Sequence, residues 1–124
     1  MTDERWDRGA EMFETVTGFP SPPKGADYIA DVVVDQIFSE IWTRPGLTIK
    51  ERRWISITCA CFSGAPVAMD AHLCGALRTG DITIDELREF VVHFAVYAGH
   101  PNGTAARAAV DAAWAKVQAE QAAD

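Results

Sequence analysis

The feature of this 124-residue sequence that most constrains its fold is an internal repeat. Leu47–Pro66 aligns with Ile82–Pro101 at a constant offset of 35 residues, with Thr-Ile, Glu, Arg, Ala, Gly and Pro in register. Each copy begins with Thr-x-x-Glu, which is the pattern of a helix capping box. Each ends in Gly-x-Pro, which favours a left-handed cap followed by the first turn of another helix. The repeat therefore predicts two helix–turn–helix units, with helices starting at Thr48 and Thr83.

The remaining segments also have helical patterns. The second helix of the first unit is expected from Pro66 to about Arg78, ending at Gly80, and the alanine-rich RAAVDAAWAKV stretch plays the same part after Pro101. Apolar residues from Tyr28 to Ile41 keep helical spacing, and Asp3–Thr17 is predicted as a further helix. We therefore predict an all-α fold of six helices, built from duplicated helical hairpins in one domain over residues 1–124.

Composition excludes several classes of partner. The net charge of −7 would repel a phosphate backbone, so nucleic acid is not expected. The longest apolar stretch is broken by Gly64 and Pro66, which argues against a membrane span, and the N-terminus carries no apolar signal region, so we expect a cytoplasmic protein. The wide apolar face of helix 28–42 and four tryptophans are more than short helices can bury, so a homo-oligomer is expected.

Histidines are the first candidates for chemistry. His72 shares a helix face with Met69, Leu73 and other apolar residues, so its ring should point into the core or into a pocket. Glu89, His93 and Tyr97 follow one another at i+4 on the repeat helix and make a row that could handle protons. We expect the helices of His72 and His93 to pack together, with both rings and Tyr97 lining one pocket where desolvation keeps His72 largely neutral. The alternative is that His72 is a hydrogen-bonded core residue.

Other side chains are candidates for binding. Either Arg52 or Arg53 could turn inward and hold a carboxylate, for which a guanidinium is suited, or both could be solvated surface charges. Further candidates for substrate contact are Glu51, Trp54, Tyr97 and His100. A metal site of three histidines remains open from the spacing alone, but no motif supports one.

Several motifs resemble those of the carboxymuconolactone decarboxylase family: IWTRPGL at Ile41–Leu47, H-x-x-x-AL-x-x-G from His72, and YAG-x-P at Tyr97–Pro101. The resemblance implies the AhpD-like fold of about six helices, assembly as trimers or hexamers, and an active site near the buried histidine. It also implies decarboxylation of a small anionic unsaturated lactone, such as 4-carboxymuconolactone, without a metal or organic cofactor. Carried over by position, Arg52 would anchor the anion and His72 would act as acid or base.

Two departures from the family pattern concern the positions before His72. The peroxidase branch has Cys-x-x-Cys seven and four residues before the histidine, and this chain has Ala65 and Ala68 there, with Arg53 in the place of a glutamate. The decarboxylase branch commonly has a glutamate at the position of Ala68. We therefore expect a decarboxylase or isomerase-type enzyme whose exact substrate is open. The alternative is a divergent or non-catalytic member that binds a small hydrophobic metabolite.

The alanines at positions 65 and 68 predict that the protein does not turn over organic hydroperoxides. A thiol peroxidase needs a thiolate nucleophile and a resolving thiol, and alanine supplies neither. The measurement is consumption of an organic hydroperoxide with a dithiol reductant, for which we expect the rate of a protein-free control. Turnover that is abolished in a Cys74→Ser variant would overturn this prediction.

Overall fold

The computed structural model describes residues 3–124, and the chain divides into two compact units, Met1–Arg52 and Arg53–Asp124. The helices are α1 (Asp3–Thr17), α2 (α-helical over Tyr28–Val32 and π-helical over Val33–Ile41), α3 (Ile49–Ser63), α4 (Pro66–Thr79), α5 (Ile84–Ala98) and α6 (His100–Ala122). None of the described residues lies in a strand. The prediction of an all-α fold with six helices is confirmed, whereas the single domain stays a prediction.

The predicted capping boxes begin both repeat helices. The Thr83 hydroxyl accepts from the Glu86 N–H at 3.1 Å, and the Glu86 carboxylate accepts from the Thr83 N–H at 3.0 Å. Thr48 and Glu51 exchange the same two bonds at the start of α3. Gly99 has a φ of 95°, which allows the chain to leave α5 and enter α6 directly. The repeated order of helix, tight turn and helix is thus confirmed.

The first unit packs α1 against α2. Phe38 is central to this contact, because its ring meets Phe13 edge-on at 5.3 Å and stacks on Trp42 at 5.6 Å. A partly buried cationic contact also joins the two helices, since Arg5 Nε donates to the Asp35 carbonyl at 2.8 Å and Arg5 pairs with Glu40 at 2.8 Å.

The second helix differs from the prediction in its hydrogen bonding. It turns as an α-helix for five residues and then as a π-helix, in which the Trp42 N–H donates to the carbonyl of Ile37, five residues back. This segment buries Val34 and Phe38 but leaves apolar residues exposed: Tyr28, Ile29, Ile37 and Ile41. Exposed apolar side chains of this size are typical of interaction surfaces, so they support the homo-oligomer, which stays a prediction.

In the second unit, α4 and α5 both pack on α6. The core between them is closed by fully buried aliphatic residues: Leu73, Ile82, Leu87, Val110 and Val117. The closest helix pairs of this unit are α5–α6 and α4–α6. Residues of α4 and α5 belong to one hydrophobic core, and the expectation that these two helices pack directly on each other stays a prediction. Salt bridges reinforce the α4–α6 pair, with Arg78 holding Glu120 at 2.9 Å and Lys116 holding Asp70 at 2.9 Å.

Gly103 permits the close approach of α6 to α5. A Cβ atom at this position would lie 2.5 Å from Ala95 Cβ. Such a contact is far inside van der Waals distance, and neither group can swing away. Within residues 3–124, no helix is both long enough and apolar enough to cross a membrane.

The close approach predicts that Gly103→Ala lowers the free energy of unfolding. Overpacking of this kind costs about 1–3 kcal/mol, and about 1 kcal/mol of improved helix propensity offsets part of it. We expect a net loss of up to about 2 kcal/mol in urea unfolding. Gly46→Ala is the matched control, because a Cβ atom there would meet nothing within 4 Å. Equal unfolding midpoints for the two variants would contradict the packing described.

Candidate functional site

A groove between α3 and α5 is an open concave feature of the second unit. Two cavities of about 370 Å³ each lie along it, one at Trp54 and the other at Phe62. Its floor is aromatic, since Trp54 and Phe90 lie 5.7 Å apart and Phe90 stacks on Phe94 at 5.3 Å between ring centroids. We call this feature the α3–α5 groove. It offers a flat apolar surface of the size that a small unsaturated molecule would cover.

His93 and Tyr97 lie together in the α3–α5 groove. Their rings stack at 5.2 Å, as their i+4 spacing predicts, and both side chains are exposed. Glu86 and Glu89 line the same end of the groove as Trp54 and His93. The structure therefore brings three predicted site residues together: Trp54, His93 and Tyr97. The two carboxylates give this end of the groove negative charge, which opposes the entry of an anion.

His72 is not among the residues that line the α3–α5 groove. It lies on α4, which packs on α6, so the predicted pocket shared with His93 stays a prediction. The ring is half-buried. Burial lowers the pKa of His72 below its ordinary value, and the positive charge of Arg53 lowers it further. At pH 7 the imidazole is therefore held in its neutral form.

Arg53 is the buried cation of this region, with only 2% of its surface exposed. Its Nε donates to Asp81 Oδ2 at 2.8 Å, and its Nη2 donates to Thr79 Oγ1 at 3.2 Å. Burial lowers the pKa of Arg53, and the bond to Asp81 opposes that shift. The sequence left open whether Arg52 or Arg53 turns inward, and the resemblance to the family gave the role of anion anchor to Arg52. The helical spacing of Arg53, Ile57 and Ala60, all buried, was the signal for an inward side chain.

The other predicted candidates lie elsewhere. Arg52, in the first unit, donates from Nη2 to the Arg44 carbonyl at 3.0 Å, while its Nε is buried and has no hydrogen-bond acceptor among residues 3–124. The Glu51 carboxylate caps α3, and its bond to the Thr48 backbone lowers the pKa of the carboxyl. His100 is exposed at the first position of α6. His100 is not among the residues that line the groove.

The cysteines are poorly suited to thiolate chemistry. Burial raises the pKa of Cys61 to about 11, and burial together with a bond to Asp70 raises the pKa of Cys74 to about 11. At pH 7 roughly one such thiol in ten thousand is ionised. Cys59 is exposed and lines the apolar end of the groove. Over the described range 3–124, no three His, Cys, Asp or Glu side chains are grouped so that they could hold a metal ion.

Comparison with known proteins places the chain among decarboxylases. The profile of the carboxymuconolactone decarboxylase family matches residues 29–112. Over 114 residues the chain is 32% identical to a 4-carboxymuconolactone decarboxylase from Acinetobacter baylyi, with 86% of this chain and 84% of that protein aligned. It is also 32% identical over 72 residues to a nitrosuccinic acid decarboxylase from Metarhizium robertsii, with 58% of this chain and 50% of that protein aligned. No solved structure matches the chain.

The environment of His72 predicts how stability depends on pH. Because the folded pKa of His72 lies below that of the unfolded chain, near 6.5, the unfolded state binds more protons once the pH falls below about 6.5. His72 therefore makes folding less stable as the pH falls from 6.5 towards its folded pKa. We expect the urea midpoint of the wild type to fall more steeply between pH 7.5 and 5 than that of His72→Gln. Parallel curves for the two proteins would contradict the burial of a neutral imidazole.

Proposed function

Because the chain belongs to the carboxymuconolactone decarboxylase family, we propose that it is a carboxy-lyase that removes CO2 from a small anionic acid. Two of its relatives are named for decarboxylation of 4-carboxymuconolactone and of nitrosuccinic acid, and these two acids share one chemical property. Loss of CO2 from either leaves an electron pair that an adjacent group stabilises, a conjugated lactone carbonyl in one and a nitro group in the other. The proposed substrate class is therefore a small carboxylic acid, foremost a carboxylated unsaturated lactone, whose carbanion is stabilised by conjugation.

The observation that carries this proposal is the half-buried, neutral His72 beside a buried cation. In the reaction, the bond between carbon and carboxylate breaks, its electron pair enters the conjugated system, and a proton is added to carbon. The role that we assign to His72 is to take a proton from water and, as the imidazolium, to give that proton to carbon. The hydroxide that is left combines with the released CO2 as bicarbonate. An anion is attracted to this part of the molecule by the charge of Arg53.

Arg52 is proposed to hold the retained carboxylate of the substrate, as the resemblance to the family implies. The support from the first unit is its Nε, which is a buried donor without an acceptor among the described residues. A carboxylate is the acceptor that a guanidinium binds most strongly. Substitution of Arg52 would then weaken binding of the substrate rather than the chemical step.

We place the reaction at His72 rather than at His93. His93 is exposed, and Glu86 and Glu89 lie beside it at the same end of the α3–α5 groove. These carboxylates would repel an anionic substrate and would favour a neutral or cationic one. The aromatic floor of the groove favours the second candidate function, a divergent family member that binds a flat hydrophobic metabolite there.

The proposed function predicts release of CO2 from 4-carboxymuconolactone or nitrosuccinate, measured together with the loss of ultraviolet absorbance for the lactone. General acid–base catalysis contributes about 10²- to 10⁴-fold, so His72→Gln should lower kcat at least 100-fold. The melting temperature should change little, because glutamine keeps a hydrogen-bonding side chain at this position.

His93→Gln is the matched variant for this experiment, since it removes the histidine of the groove. We expect its kcat to stay within about tenfold of the wild-type value. That change is smaller than the roughly 100-fold loss of kcat expected when an acid–base group is removed. Loss of turnover in His93→Gln with full activity in His72→Gln would move the reaction to the groove. No turnover of either acid by the wild type, with saturable quenching of Trp54 fluorescence by a neutral aromatic compound, would favour the metabolite-binding candidate instead.

A further inference from the structure

We propose that Arg53 is a positioning residue for His72: Asp81 and Thr79 fix its guanidinium against the side of α4 that carries the imidazole, where its charge sets the protonation of the ring. The inference rests on the proposed function, in which His72 transfers the proton. It concerns the effect of a nearby charge on the pKa of His72. Arg53 is not assigned a contact with the substrate.

The first support is the way in which the guanidinium is held. Arg53 projects from α3, yet it donates to Thr79, the last residue of α4, and to Asp81 in the turn that follows. The Thr79 hydroxyl in turn donates to the Gly75 carbonyl at 2.7 Å, one turn closer to His72. A buried guanidinium is tolerated only where it is paired and hydrogen-bonded, so these bonds hold its charge close to α4.

The second support is the division of α4 into two charged sides. His72 and Thr79 are seven residues apart, so they lie on one side of the helix, two turns from each other. Asp70, Cys74 and Arg78 follow at i+4 steps on another side, where Asp70 and Arg78 are paired with residues of α6. The side of α4 that carries His72 is therefore the side that Arg53 occupies.

The third support is that other charged groups on the neighbouring elements are engaged elsewhere. On α6, Lys116 pairs with Asp70 and Glu120 pairs with Arg78. On α5, Glu86 and Glu89 line the α3–α5 groove. Apart from burial, the charge of Arg53 is the cause that lowers the pKa of His72. Asp81 offsets part of that charge, so it moderates the effect of Arg53 on the ring.

This arrangement predicts opposite effects for the two partners. Arg53→Met removes the cation and should raise the pKa of His72. Asp81→Asn keeps an oxygen that can accept from Arg53 Nε but removes the negative charge, so the cation is less compensated and the pKa of His72 should fall. An ion pair with only a structural role would destabilise the fold in both variants without moving the titration of His72.

The experiment is an NMR titration of the histidine rings in the full-length, uniformly ¹⁵N-labelled protein between pH 4.5 and 8.5. The His72 signal is assigned by its loss in His72→Gln, and circular dichroism confirms that each variant is folded. We expect an upward shift of the His72 midpoint in Arg53→Met, a downward shift in Asp81→Asn, and a midpoint near that of the wild type in Arg53→Lys, which keeps the charge.

Arg78→Met is the matched control, because it removes a paired arginine from another side of α4. Its His72 midpoint should equal that of the wild type. Unchanged midpoints in folded Arg53→Met and Asp81→Asn would overturn the inference, and so would an equal shift in Arg78→Met. If Arg53→Met does not fold, Asp81→Asn decides: a downward shift supports the inference and no shift overturns it.

The readout needs no substrate, so failure of this inference is distinguishable from failure of the proposed function. Should the midpoints shift as expected while His72→Gln keeps full decarboxylase activity, the electrostatic coupling would stand and the role of His72 in catalysis would fail. Should His72→Gln be inactive while the midpoints do not move, the proposed function would stand and the positioning role of Arg53 would fail.

Discussion

A guanidinium that is almost completely removed from water must be paired, and this requirement governs the arrangement around His72. Arg53 meets it through Thr79, the last residue of α4, and Asp81, in the turn that follows. The same helix is fixed on another side by the ion pairs of Asp70 and Arg78 with α6. These interactions hold α4, the helix that carries His72, from two sides.

The second unit separates two kinds of surface that could bind a small molecule. One is the α3–α5 groove, which is aromatic, open and bordered by carboxylates at one end. The other is the region of His72, where burial and the charge of Arg53 lower the pKa of the imidazole and keep it neutral. In the proposed function, charge decides between them for an anionic substrate, because Glu86 and Glu89 would repel an acid from the groove and the charge of Arg53, offset in part by Asp81, would attract it. The lack of a carboxylate at Ala68 is consistent with this division, since a negative charge there would oppose the effect of Arg53.

Local features of the fold could be predicted from the sequence because they depend on residues close together in the chain. The capping boxes at Thr48 and Thr83 and the stacked pair of His93 and Tyr97 follow from spacings of three and four residues. The partner of α4 could not be predicted in this way, because α5 and α6 both present apolar faces. The π-helical part of α2 could not be predicted from the sequence either, because the change in hydrogen bonding has no distinctive residue pattern.

The central claim is that the substrate reacts beside His72. A crystal structure of the protein with an unreactive saturated analogue of the carboxylated lactone tests it most directly. We expect a polar atom of the analogue, or a single bridging water, within about 3.2 Å of a ring nitrogen of His72, which is the reach of a proton-transferring group. An analogue bound instead in the α3–α5 groove, against His93 and Tyr97, would contradict the account.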